Sequence, residues 1–191
     1  MRGSLPNQAV DGQSTASEAP LTFLFTDVEG STSMWERNPQ SMRSALARHD
    51  VIVRSAIADA GGEVVKSTGD GLMAVFAAPV AAVTAGIAAQ RGLFAEPWPD
   101  GCPIRVRMGI HTGEAESRGG DFFGPAVNRT ARIMSAGHGG QVLLSEATAV
   151  LVDEQLPDRV SLRNLGEHRL KDLDRPEQLF QLVVGDRKSV V

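Results

Sequence analysis

The chain has 191 residues, enough for one packed domain and too few for two ordinary domains with a linker. Lys and Arg total 19 against 23 Asp and Glu, and the net charge of -4 argues against an extended nucleic-acid surface while leaving room for local basic sites around one nucleotide. Cys102 is the only cysteine, which excludes intrachain disulfides and cysteine-rich zinc sites; with no apolar run near the roughly 20 residues of a spanning helix and no signal-peptide pattern, the expectation is a cytoplasmic protein without membrane insertion.

Residues 1–20 are rich in Ser, Gly, Gln and Ala without apolar periodicity, and are expected to be a disordered leader ahead of a domain over residues 21–184. Leu21 to Thr32 begins as an apolar run and ends in a carboxylate followed by small polar residues, the pattern of a buried strand that delivers Asp27 to a sheet edge. Met42, Ala45, Leu46, His49, Val53, Ala56, Ile57 and Ala60 recur at helical spacing, and Gly61-Gly62 supplies the stop. His49 falls on or beside the apolar face of this helix and reads as a packed core histidine with no role. Glu63 to Ser67 and Leu72 to Phe76 are strand-like runs joined by Thr68-Gly69-Asp70-Gly71, which puts Asp70 at a hairpin tip.

Pro79 opens an alanine-rich helix that runs to about Glu96. Ile104, Val106, Met108 and Ile110 alternate with Arg105, Arg107, Gly109 and His111 in a half-buried strand ending at Thr112-Gly113; Arg105 and Arg107 read as solvated. Glu114 to Gly120 is expected to be loose. Gly124-Pro125 starts a helix on which Asn128 and Arg132, four apart, share a face. Short strands and one helix follow over 141–144, 145–151, 160–170 and 178–183, with 185–191 as a tail. This order predicts an α+β fold: a ferredoxin-like, palm-type antiparallel sheet with helices packed on one face.

Carboxylates on neighbouring strand edges, Asp27 and Asp70, suit two divalent ions about 4 Å apart, the arrangement that clamps attacking and leaving oxygens in phosphoryl transfer. Hard oxygen donors point to Mg2+ or Mn2+. Taken singly, each Asp is equally well explained as a cap or turn residue; together with the adjoining glycines they favour the metal. Gly30, Ser31 and Thr32 can present successive backbone N–H groups to phosphate oxygens at a helix start.

Three separated segments, FTDVEGST over 25–32, KSTGDG over 66–71 and FFGPAVNRTAR over 122–132, together resemble the class III nucleotidyl cyclase catalytic domain, across roughly Leu21 to Val183. The resemblance implies that Asp27 and Asp70 hold two metal ions, with the Val28 carbonyl as a further ligand. Lys66 and Asp121 match the pair that reads adenine, Lys donating to N1 and Asp accepting from the 6-amino group, where guanylyl cyclases typically carry Glu and Cys. Asn128 corresponds to the residue that orients the ribose and Arg132 to the one that stabilises the five-coordinate α-phosphate. Lys171 corresponds to a triphosphate-binding lysine. One departure stands out, because the arginine often found after the Thr-Gly strand end is Glu114 here; Arg118 or Arg129 are candidates to replace it.

The implied activity is adenylyl cyclase, turning ATP into 3′,5′-cyclic AMP and pyrophosphate. The family places the site at a dimer interface, and because this chain holds both sets of residues, a homodimer with two shared active sites is expected. Guanylyl cyclase and a catalytically silent nucleotide-binding homologue are the alternatives.

Overall fold

The computed structural model describes residues 15–16 and 19–185; the remainder of the expected leader and tail lies outside the described residues. In chain order the strands and helices are β1 (Thr15–Ala16), β2 (Leu21–Val28), α1 (Ser31–Arg37), α2 (Pro39–Asp59), β3 (Glu63–Ser67), β4 (Leu72–Phe76) and α3 (Pro79–Ala95). They continue with β5 (Val106–Gly113), β6 (Glu116–Arg118), β7 (Asp121–Phe123), α4 (Pro125–Ala136), β8 (Val142–Ser145), α5 (Glu146–Val152), β9 (Val160–His168) and β10 (Glu177–Val184). No described helix is long and apolar enough to cross a membrane.

Seven strands form one sheet in the order β3-β4-β2-β5-β8-β10-β9, with every neighbouring pair antiparallel except β5 and β8. The α+β palm-type arrangement is therefore the observed one, with β2 near its centre. Alternation along the strands divides the core. Leu24, Val28, Ala74, Phe76, Met108 and Ile110 face α2 and α3, whereas Phe23, Phe25, Met73 and Val75 belong to a second apolar cluster with Ala126, Val127, Ala131 and Met134 of α4. Helices thus cover both faces, which corrects the expectation of one. Gly109 permits the second layer: a Cβ there would lie 2.4 Å from the backbone nitrogen of Met134, so only glycine lets α4 settle on β5.

The segment expected to be loose after Gly113 is a hairpin instead. β6 and β7 are joined by Gly119 and Gly120, whose φ values of 60° and 80° are those of a type I′ turn, and Arg118 pairs with Asp121 across it. Thr15 and Ala16 add a two-residue strand to β6.

A buried polar chain crosses the sheet beneath α5. Thr22 Oγ1 and Thr112 Oγ1 are 3.0 Å apart, Thr112 Oγ1 and Thr148 Oγ1 3.1 Å, and His111 Nδ1 and Ser145 Oγ 2.7 Å. Burial, reinforced by the nearby Arg129 charge, pushes the His111 imidazole down from 6.5 to about 4. Between those values the unfolded chain binds a proton that the folded one refuses, so acid favours unfolding. We expect the unfolding free energy to fall as pH drops from about 6.5 toward 4, with His111 contributing roughly 3 kcal/mol of the loss, and His111→Gln to flatten that slope in denaturant titrations at several pH values.

Candidate active site

β2 and the β3–β4 hairpin bring two carboxylates to one edge. The pairing of Phe25 with Met73 runs on so that Leu72 N donates to Thr26 Oγ1 at 2.9 Å. Gly71 approaches so closely that a Cβ would lie 2.0 Å from the Thr26 carbonyl oxygen. These contacts seat the Asp70 tip beside the Thr26–Asp27 end of β2. Asp70 Oδ2 is buried with no hydrogen-bond partner, and its carboxylate makes no ion pair within the described residues.

Asp27 differs. It lies opposite Arg107 of β5, whose Nε and Nη2 both donate to Asp27 Oδ2, at 2.8 and 2.6 Å. Arg107 also reaches toward the Ser135 carbonyl at 3.4 Å, at the C-terminal end of α4. The expectation of a solvated Arg107 is thereby corrected, while Arg105 is exposed as expected. Alternation along β5 alone says that Arg107 leaves the apolar face, not which carboxylate stands across from it. The Val28 side chain is buried in the core, and its neighbour Glu29 donates its N–H to the Arg105 carbonyl at 2.9 Å. Gly30, at φ 68°, then leads into α1 with Ser31 and Thr32 in its first turn.

Lys66 and Asp121 meet at the free edge of β3. Lys66 Nζ lies 2.8 Å from Asp121 Oδ1 and 2.6 Å from Oδ2, and Phe122 N donates to Asp121 Oδ1 at 2.8 Å. The Lys66 hydrogen bond holds the Asp121 carboxyl below the usual carboxylate range. Lys66 also sits 5.8 Å from the centroid of the Phe123 ring, which leaves a donor, an acceptor and an aromatic face in one place.

Asn128 and Arg132 occupy the outer face of α4, opposite the stripe of Ala126, Thr130 and Ile133 that is buried. Arg132 Nη2 contacts Asp172 Oδ2 at 2.5 Å. Asp172 adopts φ 60° in the β9–β10 loop, which is anchored by buried Leu170 and places exposed Lys171 beside the Arg132 partner. Arg132 is thus tied to the loop that carries Lys171. Lys66–Asp121 instead flanks the N-terminal end of α4, and Asp27–Arg107 its C-terminal end. A helix of 12 residues spans about 18 Å, so the two groups are held apart within one chain.

Glu114 is exposed, and neither candidate replacement is free. Arg118 pairs with Glu116 at 2.7 Å and lies over Phe123, and Arg129 pairs with Glu177 at 3.2 Å.

The sequence model of the adenylate and guanylate cyclase catalytic domain matches residues 14–183. An uncharacterized protein of Mycobacterium tuberculosis is 39% identical over 184 residues, covering 95% of this chain and 62% of that protein, so the chain spans less than two thirds of its relative's length. An adenylate cyclase of Schizosaccharomyces pombe is 29% identical over 204 residues, 83% of this chain and 12% of that one. Among solved structures, an adenylate/guanylate cyclase/hydrolase from Silicibacter pomeroyi superposes with a TM-score of 0.77 at 30% identity, over 91% of this chain and all (100%) of that one. A Trypanosoma brucei adenylate cyclase in its monomeric state gives 0.77 at 25% identity, over 91% and 92%.

Gly71 offers a test of the seating. Gly71→Ala forces the hairpin tip off Thr26, and we expect a loss of about 1–3 kcal/mol in urea unfolding.

Proposed function

The chain belongs to the adenylate and guanylate cyclase catalytic domain family, and from that membership we propose that it is an adenylate cyclase, forming cyclic AMP and pyrophosphate from ATP in a homodimer with two shared sites. The Lys66–Asp121 pair carries the choice of ATP. A lysine N–H suits adenine N1 and a carboxylate suits the 6-amino group, whereas guanine, with a protonated N1 and a 6-keto oxygen, meets a donor with a donor and an acceptor with an acceptor. Mismatches of this kind discriminate by up to about 10⁴-fold.

The donor set fits divalent metal ions. Asp70 presents a carboxylate without a cationic partner, both Arg107 contacts on Asp27 fall on one oxygen, and no described cluster of three or more His, Cys, Asp or Glu competes as a metal site. Two carboxylates and the Val28 carbonyl leave positions for triphosphate oxygens and water, the usual manner of Mg2+ binding and one open to Mn2+. When bound, such ions lower the pKa of a hydroxyl and neutralise phosphate charge. Around them Asn128 holds the ribose so that its 3′-oxygen lies in line with the α-phosphorus and the bond to pyrophosphate. Arg132, freed from Asp172, donates to the α-phosphate oxygens as charge accumulates there, and Lys171 and the Gly30–Thr32 backbone hold the triphosphate. The outward face of Asn128 and Arg132, turned from the sheet, supports their service to the Asp27–Asp70 edge of a second copy.

In assays with ATP or GTP, each with Mg2+ or Mn2+, we expect cyclic AMP to exceed cyclic GMP by orders of magnitude; preference for GTP overturns the substrate assignment, and no turnover by a folded dimer overturns the enzyme. Asp27→Ala and Arg132→Ala chains are each expected to be inactive and to regain activity on mixing, at most one working site per heterodimer. Continued inactivity after demonstrated subunit exchange rules out a shared site.

A further inference from the structure

Near the hairpin tip two buried polar atoms lack a hydrogen-bond partner among the described residues, Asp70 Oδ2 and His49 Nε2. Buried acceptors are rarely left unanswered in native folds, and a pair of them in one region points to a shared partner.

His49 lies in the apolar stripe of α2 with Met42, Ala45, Val53, Ala56 and Ile57, and its side chain is 0% exposed. Its Nδ1 is 2.9 Å from Asp50 Oδ1. An ionised carboxylate only accepts, so Nδ1 carries the proton. Burial pulls the imidazole below its ordinary value, outweighing the opposing pulls of Asp50 and Asp70, and the ring is neutral with a bare lone pair on Nε2. The same helix is fastened to the end of β3 by Arg54 Nη2, which donates to Ser67 Oγ at 2.8 Å. Three residues beyond Ser67 comes Asp70, held from its other side by the contacts of Gly71 and Leu72 with Thr26. The tie of α2 to the end of β3 brings His49 and the Asp70 tip into one region, near enough for the Asp70 charge to be felt at the ring. Two acceptors cannot bond each other. A water molecule, with two protons to give, answers both.

We propose that His49 is a positioning residue for Asp70, acting through one buried water that donates to His49 Nε2 and Asp70 Oδ2 and so turns Oδ1 toward the metal. This assigns a task to a side chain whose sequence pattern reads as core packing, and it rests on the proposed metal role of Asp70. Asp50, at the surface end, fixes the tautomer that makes Nε2 an acceptor. Partners of this type, one step removed from the metal, typically alter its affinity by about 10–100-fold.

The test is a Mn2+ titration of the dimer in the presence of the non-cyclising α,β-methylene analogue of ATP, with free Mn2+ followed by electron paramagnetic resonance. His49→Phe keeps the bulk and removes the acceptor, and is expected to weaken Mn2+ binding by about tenfold or more. His49→Gln, which returns a polar atom to about the position of Nε2, is expected to recover most of it. Wild-type Mn2+ affinity in His49→Phe, or equal weakening in folded Phe and Gln variants, overturns the proposal. Asp70→Asn separates the two readings: if it binds Mn2+ as the wild type does, the metal role of Asp70 itself fails, whereas if it loses Mn2+ and His49→Phe does not, only the role of His49 fails. A measurement on the unaltered protein guards against misfolded variants. In 15N-histidine spectra His49 is expected as the neutral tautomer protonated at Nδ1, with an Nε2 resonance that moves on addition of Mg2+ and the analogue; an Nε2-protonated ring, or an Nε2 signal indifferent to metal, overturns the bridge.

Discussion

The contact between Gly71 and the Thr26 carbonyl is the constraint on which the site geometry rests. No side chain fits there, since a Cβ would come within 2.0 Å of the oxygen, and Leu72 N is held by Thr26 Oγ1. These two contacts set how far the β3–β4 hairpin reaches along β2. That reach fixes Asp70 relative to Asp27, and through the β3–β4 register it also fixes Lys66, which pairs opposite Met73. One close approach of two backbones thus governs both the carboxylate edge and the position of Lys66.

Around this frame the charged groups of a single chain satisfy one another. Asp27 is paired with Arg107, Lys66 with Asp121 and Arg132 with Asp172. All three pairs are partly exposed, so each contributes little to stability and can be broken at small cost. Asp70 is the exception. Its carboxylate has no cationic partner among the described residues, which singles it out as the group whose charge the rest of the chain does not compensate.

Much of this was legible in the sequence. The hairpin over Glu63–Phe76 announced itself through two glycines between short strand-like runs, and the α2 stripe through its period. The pairing of Lys66 with Asp121 was legible only through the resemblance, since nothing in their spacing says that a β6–β7 hairpin will carry one to the other. Gly119-Gly120 was the available sign of that hairpin, a two-residue turn sequence between strands too short to stand out. Which face α4 would take could not be derived from element order, because it is decided by Gly109 meeting the Met134 backbone. Arg107 illustrates a further limit: alternation tells which side of a strand a residue occupies, whereas its partner depends on a register set between segments far apart in the chain.

That separation has a consequence for how the protein assembles. β2 is the first long strand among the described residues, yet it closes only when Thr26 finds Leu72, 46 residues later, and Thr22 finds Thr112, 90 residues later. Contacts of such range are entropically expensive to nucleate and form together rather than one by one. The carboxylate edge therefore belongs to the most global unit of the fold, because β2 supplies only one side of each contact that holds it.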